Sequence, residues 1–176
     1  MNSFKSIKFW IFDLDNTLYS GQTKVFEQVD KKMSKYISNK LNIDLEEARK
    51  IQKNYFHEYN TTLNGLIKNH KIDPNEFLEF VHDINIDFLK EDPQLAEEIK
   101  KLDGLKIIFT NGSRKHALNV TKKLGIDQLF DDIFDIVDCN FTPKPLVEPY
   151  KKLVEKHNID PKLCVLVEDI ARNLKP

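Results

Sequence analysis

The chain has 176 residues, which is enough for one domain with a substantial core or for one domain that carries a large insertion. Apolar residues make up 40% and charged residues 31%, with only 5 Gly and 7 Pro, and this composition excludes disordered, fibrous and low-complexity proteins. The 27 basic and 28 acidic residues nearly cancel and no basic run alternates with aromatic residues, so we expect no nucleic-acid polymer as a partner.

Strand-like runs occur once near the start and three times in the second half of the chain. They are nearly continuous in apolar residues, which is typical of strands covered on both faces of a parallel sheet: residues 7–12, 106–109, 133–137 and 163–167. Ser113 and Gly125 bracket a helix after the second run, and another helix covers about residues 150–157. The order β-α-β-α-β predicts a doubly wound α/β core.

The long stretch between the first two strands has only helical patterns. Apolar residues from Val25 to Ile37 form one stripe, and we expect this stripe and Phe56 to be packing residues. Capping signals that open further helices occur at Asp44 with Glu47, at Asp73-Pro74 and at Asp92-Pro93. Amphipathic helices of this kind pack as a small bundle, so we interpret residues 18–92 as a helical insertion in the α/β domain.

Polar residues follow each predicted strand, at the edge where open α/β sheets bind their ligands. The four segments are Asp13-Leu14-Asp15-Asn16-Thr17, Thr110-Asn111-Gly112-Ser113, Pro143-Lys144-Pro145 and Glu168-Asp169. Each alone also suits a structural role: the first two an ordinary turn, the lysine a solvated loop, and the acidic pair the cap of a helix near Ala171. Their coincidence at four successive strand ends favours a functional site.

The chemistry of the first two segments indicates phosphate and metal. Asp13 and Asp15 are two residues apart, so in extended backbone both side chains reach one phosphoryl group. Neighbouring carboxylates repel each other, and an all-oxygen set of ligands suits Mg²⁺. Residues 110–113 join a strand to a helix N-terminus, which favours an anion such as phosphate.

Cysteine spacing and targeting patterns give no sign of a secreted or membrane protein. Cys139 and Cys164 lie far apart without a C-x-x-C spacing, so we expect ordinary buried thiols and neither a zinc site nor a disulfide framework. No signal-peptide pattern and no apolar run of membrane-spanning length are recognisable, which favours a cytoplasmic protein without a membrane partner. The amino-acid sequence does not indicate an oligomeric state.

The four polar segments resemble the four ordered motifs of the haloacid dehalogenase (HAD) superfamily of phosphohydrolases, over essentially the whole chain. The pyrimidine 5′-nucleotidase branch is the most similar, on residues 15–19, 55–59, 65–66, 81–83 and 168–174. The resemblance implies a Rossmann-like parallel sheet of strand order 3-2-1-4-5 in residues 1–17 and 93–176, with a helical C1 cap in residues 18–92. Relatives continue past the fourth motif, so the chain looks truncated and a C-terminal strand and helix are expected to be missing.

The resemblance also implies catalytic roles. Asp13 would attack phosphorus to form an aspartyl phosphate, and Asp15 would protonate the leaving oxygen and then activate water. Thr110 and the Asn111 amide would hold phosphoryl oxygens, while Lys144 would offset negative charge between the phosphate and the nucleophile.

The implied metal is Mg²⁺, held by the carboxylates of Asp13 and Asp169 and the backbone carbonyl of Asp15, with Glu168 in support. An acid at position 15 also separates classes within the superfamily, since the dehalogenases lack it and the transport ATPases carry a different residue. A phosphatase or a mutase is therefore favoured.

The expected activity is hydrolysis of a nucleotide monophosphate, with a pyrimidine nucleotide preferred. Alternatives are a sugar-phosphate phosphatase, a phosphomutase or a binding module that keeps the fold without turnover. Polar or aromatic candidates for contact with a base or sugar, each of which also suits core packing or a solvated surface, are Tyr55, His57, Tyr59, Thr62 and His82. Three other histidines, His70, His116 and His157, have no metal-ligand spacing.

Overall fold

A parallel sheet of four strands forms the centre of the computed structural model, which describes residue 4 and residues 6–176. The strands are β1 (Phe9–Phe12), β2 (Leu105–Phe109), β3 (Asp132–Phe134) and β4 (Cys164–Val167). Their order is β3-β2-β1-β4, and every pairing is parallel. The predicted α/β class is confirmed, and so is the implied order of these four strands.

Two strands are shorter by two residues or more than the sequence predicts, because turns use their backbone groups. The side chain of Asp135 accepts hydrogen bonds from the backbone N–H groups of Val137 and Asp138, each at 3.0 Å, so β3 ends at Phe134 and the prediction of a strand to residue 137 is wrong. The N–H of Ile7 donates to the carbonyl of Phe4 at 3.1 Å, so β1 begins at Phe9.

Helices occupy the predicted places. They are α1 (Val25–Leu41), α2 (Leu45–Tyr59), α3 (Thr62–His70), α4 (Pro74–Val81), α5 (Pro93–Lys100), α6 (Arg114–Leu124) and α7 (Val147–His157). Side chains of the predicted caps Asp44, Asp73, Asp92 and Ser113 each accept a backbone N–H, which confirms those helix starts. Within residues 4 and 6–176, no helix is both long and apolar enough to cross a membrane.

Both faces of the sheet are covered, which explains why its strands are almost wholly apolar. Because side chains alternate along a strand, Trp10 and Phe12 of β1 pack with α6 on one face. Ile11 points to the other face and packs with Phe109 and Leu153. The free thiol Cys139 is buried there, and the free Cys164 is half-buried against the same core.

A second hydrophobic core lies among helices α1–α4, which we call the helical bundle. Val29, Ile37, Leu66 and Phe77 are each at most 2% exposed in this core. The predicted apolar stripe on α1 is therefore mostly a packing face. Phe26 is an exception, because it is 38% exposed. The assignment of residues 18–92 to a separate insertion stays a prediction.

Gly65 on α3 allows a close contact with α2. A Cβ atom at this position would lie 2.4 Å from Cγ of Tyr55, which is far inside van der Waals contact. Gly65→Ala is therefore expected to lower the free energy of unfolding by about 1–3 kcal/mol, because the ring must move within a packed interface. Chemical denaturation measures this change. In a Tyr55→Ala background the cost should shrink; an equal cost in both backgrounds would contradict the steric explanation.

Candidate active site

The carboxyl ends of β1, β2 and β4 lie side by side, because Phe12 is in register with both Ile108 and Val167. The polar segments that follow these strands therefore meet at one edge of the sheet. Lys144, from the segment after β3, reaches into the same place. The structure thus brings together Asp13, Thr110, Lys144 and Glu168, as expected for a site at the strand ends.

Lys144 is the centre of this arrangement, and its side chain is only 1% exposed. Its Nζ donates to Asp13 Oδ1 at 2.8 Å, to Glu168 Oε2 at 2.7 Å and to the backbone carbonyl of Phe109 at 2.8 Å. All the donors of the ammonium group are thereby used, as a buried charge requires. The alternative of a solvated loop lysine is excluded.

Asn111 holds the backbone that carries Lys144. Its side-chain Oδ1 accepts from the Lys144 backbone N–H at 2.8 Å, and its Nδ2 donates to the Lys144 carbonyl at 3.3 Å. The side-chain amide is therefore occupied, and the predicted phosphate contact is left to the backbone N–H of Asn111. Thr110 Oγ1 accepts the N–H of Gly112 at 2.9 Å, which leaves the hydroxyl hydrogen available for another acceptor.

Negative charge exceeds positive charge around Asp13. Burial raises the pKa of Asp13 to about 7, with Lys144 opposing the shift and Glu168 adding to it. Burial and the neighbouring Glu168 also raise the pKa of Asp169. Carboxylate oxygens of Asp13, Glu168 and Asp169 lie within 4.8 Å of one another. Several hard oxygen donors facing one ammonium group suit a divalent cation such as Mg²⁺.

Asp15 is held apart from this acidic cluster. Its Oδ1 accepts a hydrogen bond from His116 Nε2 at 2.8 Å and another from the hydroxyl of Tyr19. Burial alone would raise the pKa of Asp15, but the His116 charge and the two hydrogen bonds outweigh it and lower the pKa to about 2. The side chain of Asp15 is thus fixed as a carboxylate, and the predicted metal contact concerns only its backbone carbonyl.

Sequence reasoning missed both partners of Asp15. His116 is 2% exposed although its spacing suggested no role, and it lies 101 positions from Asp15 in the chain. One local signal was available: His116 follows the N-cap Ser113 by three residues, so it belongs to the first turn of the helix that starts at the site. Tyr19 is four residues beyond Asp15, within reach across a single turn.

A cavity of about 220 Å³ lies between the strand ends and the helical bundle. Its floor contains Asp13, Asp15 and Thr110. Its other walls are largely apolar side chains of the bundle, namely Phe26, Val29, Met33, Phe56, Leu63, Phe77, Leu78 and Val81. Phe26 and Phe56, which we expected to be packing residues, also line this cavity, since an apolar helix stripe can face a cavity as well as a core.

A polar group interrupts the apolar walls of the cavity. Asp30 Oδ1 accepts from Gln52 Nε2 at 2.7 Å and from Lys53 Nζ at 2.6 Å, and all three residues line the cavity. Gln52 in turn accepts the hydroxyl of Ser34. None of these residues belongs to a recognisable sequence motif.

The five predicted substrate contacts divide into two groups. Thr62 and His82 line the cavity, although the Thr62 hydroxyl already donates to the carbonyl of Gln52 at 3.1 Å. Tyr55, His57 and Tyr59 lie outside it: Tyr55 packs edge-on against Tyr59 and pairs with His70, and His57 is exposed.

The chain belongs to the haloacid dehalogenase-like hydrolase family, whose model matches residues 7–175. It is 36% identical over 137 residues to Phosphate metabolism protein 8 of Saccharomyces cerevisiae, a match that covers 72% of this chain and 42% of the yeast protein. It is 28% identical over 183 residues to glyceraldehyde 3-phosphate phosphatase of Methanocaldococcus jannaschii, covering 97% of this chain and 80% of that one.

Among solved structures, a haloacid dehalogenase-like family hydrolase from Streptococcus pneumoniae is similar to this chain. It has a TM-score of 0.57 and 16% identity, and the match covers 96% of this chain and 79% of that one. This likeness shows a shared fold. The match to the yeast protein has the higher sequence identity of the two relatives, but it spans less than half of the length of that protein.

Proposed function

We propose that this protein is a Mg²⁺-dependent phosphomonoesterase that hydrolyses a nucleoside monophosphate, with a pyrimidine nucleotide preferred. The observation that carries the proposal is a buried carboxylate, Asp13, on the floor of a cavity with aromatic and apolar walls. Membership of a hydrolase family and similarity to a protein named as a phosphatase support the reaction class. The substrate class rests on the cavity.

Asp13 is the nucleophile in this proposal. Its carboxylate oxygen forms a bond to phosphorus while the ester P–O bond breaks, and water then hydrolyses the aspartyl phosphate. Asp13, Glu168 and Asp169 would hold Mg²⁺, together with the backbone carbonyl of Asp15. When bound, the ion offsets the repulsion among these carboxylates and the negative charge of the phosphoryl group.

The phosphoryl oxygens are assigned to the turn after β2. The hydroxyl hydrogen of Thr110 is available to donate, and the backbone N–H groups near the start of α6 add the positive end of a helix dipole. Lys144 counters the charge that gathers on Asp13 and the phosphate. Binding and charge stabilisation of this kind supply most of the catalysis in phosphoryl transfer.

Asp15 moves the proton. Its pKa of about 2 keeps it ionised in the empty site, so the proton comes from substrate that enters as the phosphate monoanion, and the negative charge of the phosphate then favours protonation of Asp15. Asp15 then gives the proton to the leaving nucleoside oxygen. As a carboxylate again, it takes a proton from the water that attacks the aspartyl phosphate.

The walls of the cavity favour a nucleoside over a sugar as the leaving group. Apolar side chains offer no partners to hydroxyls, and each buried hydroxyl left unpaired costs about 1–3 kcal/mol, so a hexose is disfavoured more than a nucleoside, whose ribose has fewer hydroxyls. A planar base instead gains contact with rings such as Phe26 and Phe56. The polar group of Asp30, Gln52 and Lys53 is suited to the polar edge of a base.

A substrate panel tests the proposal. Phosphate release with Mg²⁺ is measured for uridine, cytidine and adenosine monophosphates, glyceraldehyde 3-phosphate, glucose 1-phosphate and a simple alkyl phosphate. The highest kcat/KM is expected for a pyrimidine nucleotide, with release by Asp13→Asn lower by several orders of magnitude. Preference for a sugar phosphate, an isomerised sugar phosphate as product, or no release from any substrate would each reject the proposal.

Asp169→Asn is expected to weaken Mg²⁺ binding by at least about 10-fold, with activity partly restored at high Mg²⁺, because one anionic donor is lost from the cluster. Titration of activity with Mg²⁺ and calorimetry on the metal alone measure the change. Asp160→Asn, an exposed cap of a short turn, is the matched control. Wild-type Mg²⁺ dependence in Asp169→Asn would remove this residue from the metal site.

A further inference from the structure

A pair of stacked imidazole rings connects the helical bundle to Asp15. His116 belongs to α6 beside the sheet, whereas His82 directly follows α4 of the bundle. The ring centroids are 4.3 Å apart and the planes differ by only 8°. A hydrogen bond of 3.0 Å also joins His82 Nδ1 to Oγ of Ser113, the N-cap of α6. His82 thus contacts α6 both through its ring face and through its ring nitrogen.

His116 fixes one oxygen of Asp15. The hydrogen bond from its Nε2 and the one from the Tyr19 hydroxyl both end on Oδ1. The other oxygen, Oδ2, faces the phosphate turn, since a Cβ atom placed on Gly112 would lie 3.7 Å from Oδ2 and 3.3 Å from Thr110 Oγ1. Loss of the His116 bond would leave Oδ1 with the Tyr19 hydroxyl, and the carboxylate could then turn about its last bond until neither oxygen points at the leaving group.

We propose that His116 is a positioning residue that keeps Oδ2 of Asp15 directed at the leaving oxygen, and that His82 makes this orientation depend on the position of the helical bundle. The inference rests on the proposed function, which gives Asp15 its proton-transfer role. Proton transfer needs a heavy-atom separation of about 2.6–3.2 Å, so a rotated carboxylate is out of reach.

His82 gives the bundle a direct influence on this geometry. It lines the main cavity and also a second groove between α4 and α6, so it forms part of the wall between them. Displacement of the bundle would remove the ring that covers His116 and break the bond to Ser113. Asp15 is then oriented for proton transfer only while the bundle closes the cavity over the substrate.

Leaving-group dependence separates positioning from a structural role. A nucleoside leaves as a poor, alkoxide-like group and needs its proton, whereas p-nitrophenolate leaves readily without one. His116→Phe keeps a flat ring but removes the hydrogen bond, and we expect kcat/KM to fall about 10- to 100-fold for the nucleotide and far less for p-nitrophenyl phosphate. His116→Gln keeps an N–H donor and should recover part of the loss.

Two further variants complete the test. His82→Ala should show the same leaving-group pattern with a smaller loss, and His82→Phe, which keeps a ring, should lie closer to wild type. In an Asp15→Asn background, His116→Phe should add little, because there is no proton left to position. His157→Gln, on α7 away from the site, is the control expected to keep wild-type activity.

Equal losses on both substrates, or full additivity with Asp15→Asn, would overturn the role of His116. Wild-type behaviour of His82→Ala would overturn the link to the bundle. A crystal structure of His116→Phe provides a readout that needs no turnover: a rotated Asp15 supports the inference, and an unmoved Asp15 rejects it. If the wild type releases no phosphate from any ester, the proposed function fails, while this structure still decides whether His116 orients Asp15.

Discussion

Replacement of Asp13 by Asn is expected to lower kcat for phosphate release by roughly 10⁴- to 10⁶-fold, because an amide is a very poor nucleophile towards phosphorus. The fold should survive the change, since Lys144 keeps its bonds to Glu168 and to the Phe109 carbonyl. Steady-state assays measure the loss. Rapid-quench mass spectrometry, which detects a phosphorylated Asp13 directly, should find the adduct in the wild type and none at this position in Asp13→Asn.

Stability gives a separate check on the Asp13 variant. The pKa of Asp13 is raised to about 7, so its contribution to folding is present at low pH and is lost as the pH rises through that value. In metal-free buffer near pH 8, Asp13→Asn should therefore be at least as stable as the wild type. Asp160→Asn controls for the substitution itself. Appreciable turnover by Asp13→Asn, with an adduct elsewhere, would show that Asp13 is not the nucleophile.

Asp15→Asn is expected to lower kcat about 10²- to 10⁴-fold for a nucleoside monophosphate. The substitution should leave the local structure intact, because an Asn oxygen can still accept the hydrogen bonds from His116 and Tyr19. What is lost is the proton for the leaving group and the base that activates water. For p-nitrophenyl phosphate the first step should suffer much less.

An intermediate should then accumulate on Asp13 in the Asp15 variant, since its hydrolysis lacks the base. Quenched samples of Asp15→Asn with p-nitrophenyl phosphate are analysed by mass spectrometry for this adduct, with the Asp13→Asn, Asp15→Asn double variant as the blank. Equal losses on both substrates without any trapped phosphate would refute the division of labour between the two aspartates.

Local signals explain why much of this fold was predictable from the sequence. The capping side chains of Asp44, Asp73 and Ser113 act within three residues, so helix starts can be read without knowledge of the tertiary structure. Parallel strands must also present their carboxyl ends at one edge. Residues as distant in sequence as Asp13 and Lys144 were for that reason expected together, and Nζ lies 2.8 Å from Oδ1.

Most of the features that could not be predicted depend on contacts between residues that are far apart in the sequence. The spacing of apolar residues on α1 and α2 indicates which helix face is apolar, but it does not say whether that face meets another side chain or a cavity, as for Phe26 and Phe56. The bond between His116 and Asp15 likewise depends on how α6 packs beside β1. The early end of β3 came from one competing side chain, that of Asp135.

The helical bundle and the sheet region each contribute one buried side chain to the hydrophobic core of the other. Ile136, just after β3, is 2% exposed and belongs to the core of the bundle, while Val25 at the start of α1 is fully buried in the core that covers the sheet. Neither core is complete without a residue from the other region. The two regions are therefore expected to melt in one cooperative transition, and weakening either core should lower the stability of both.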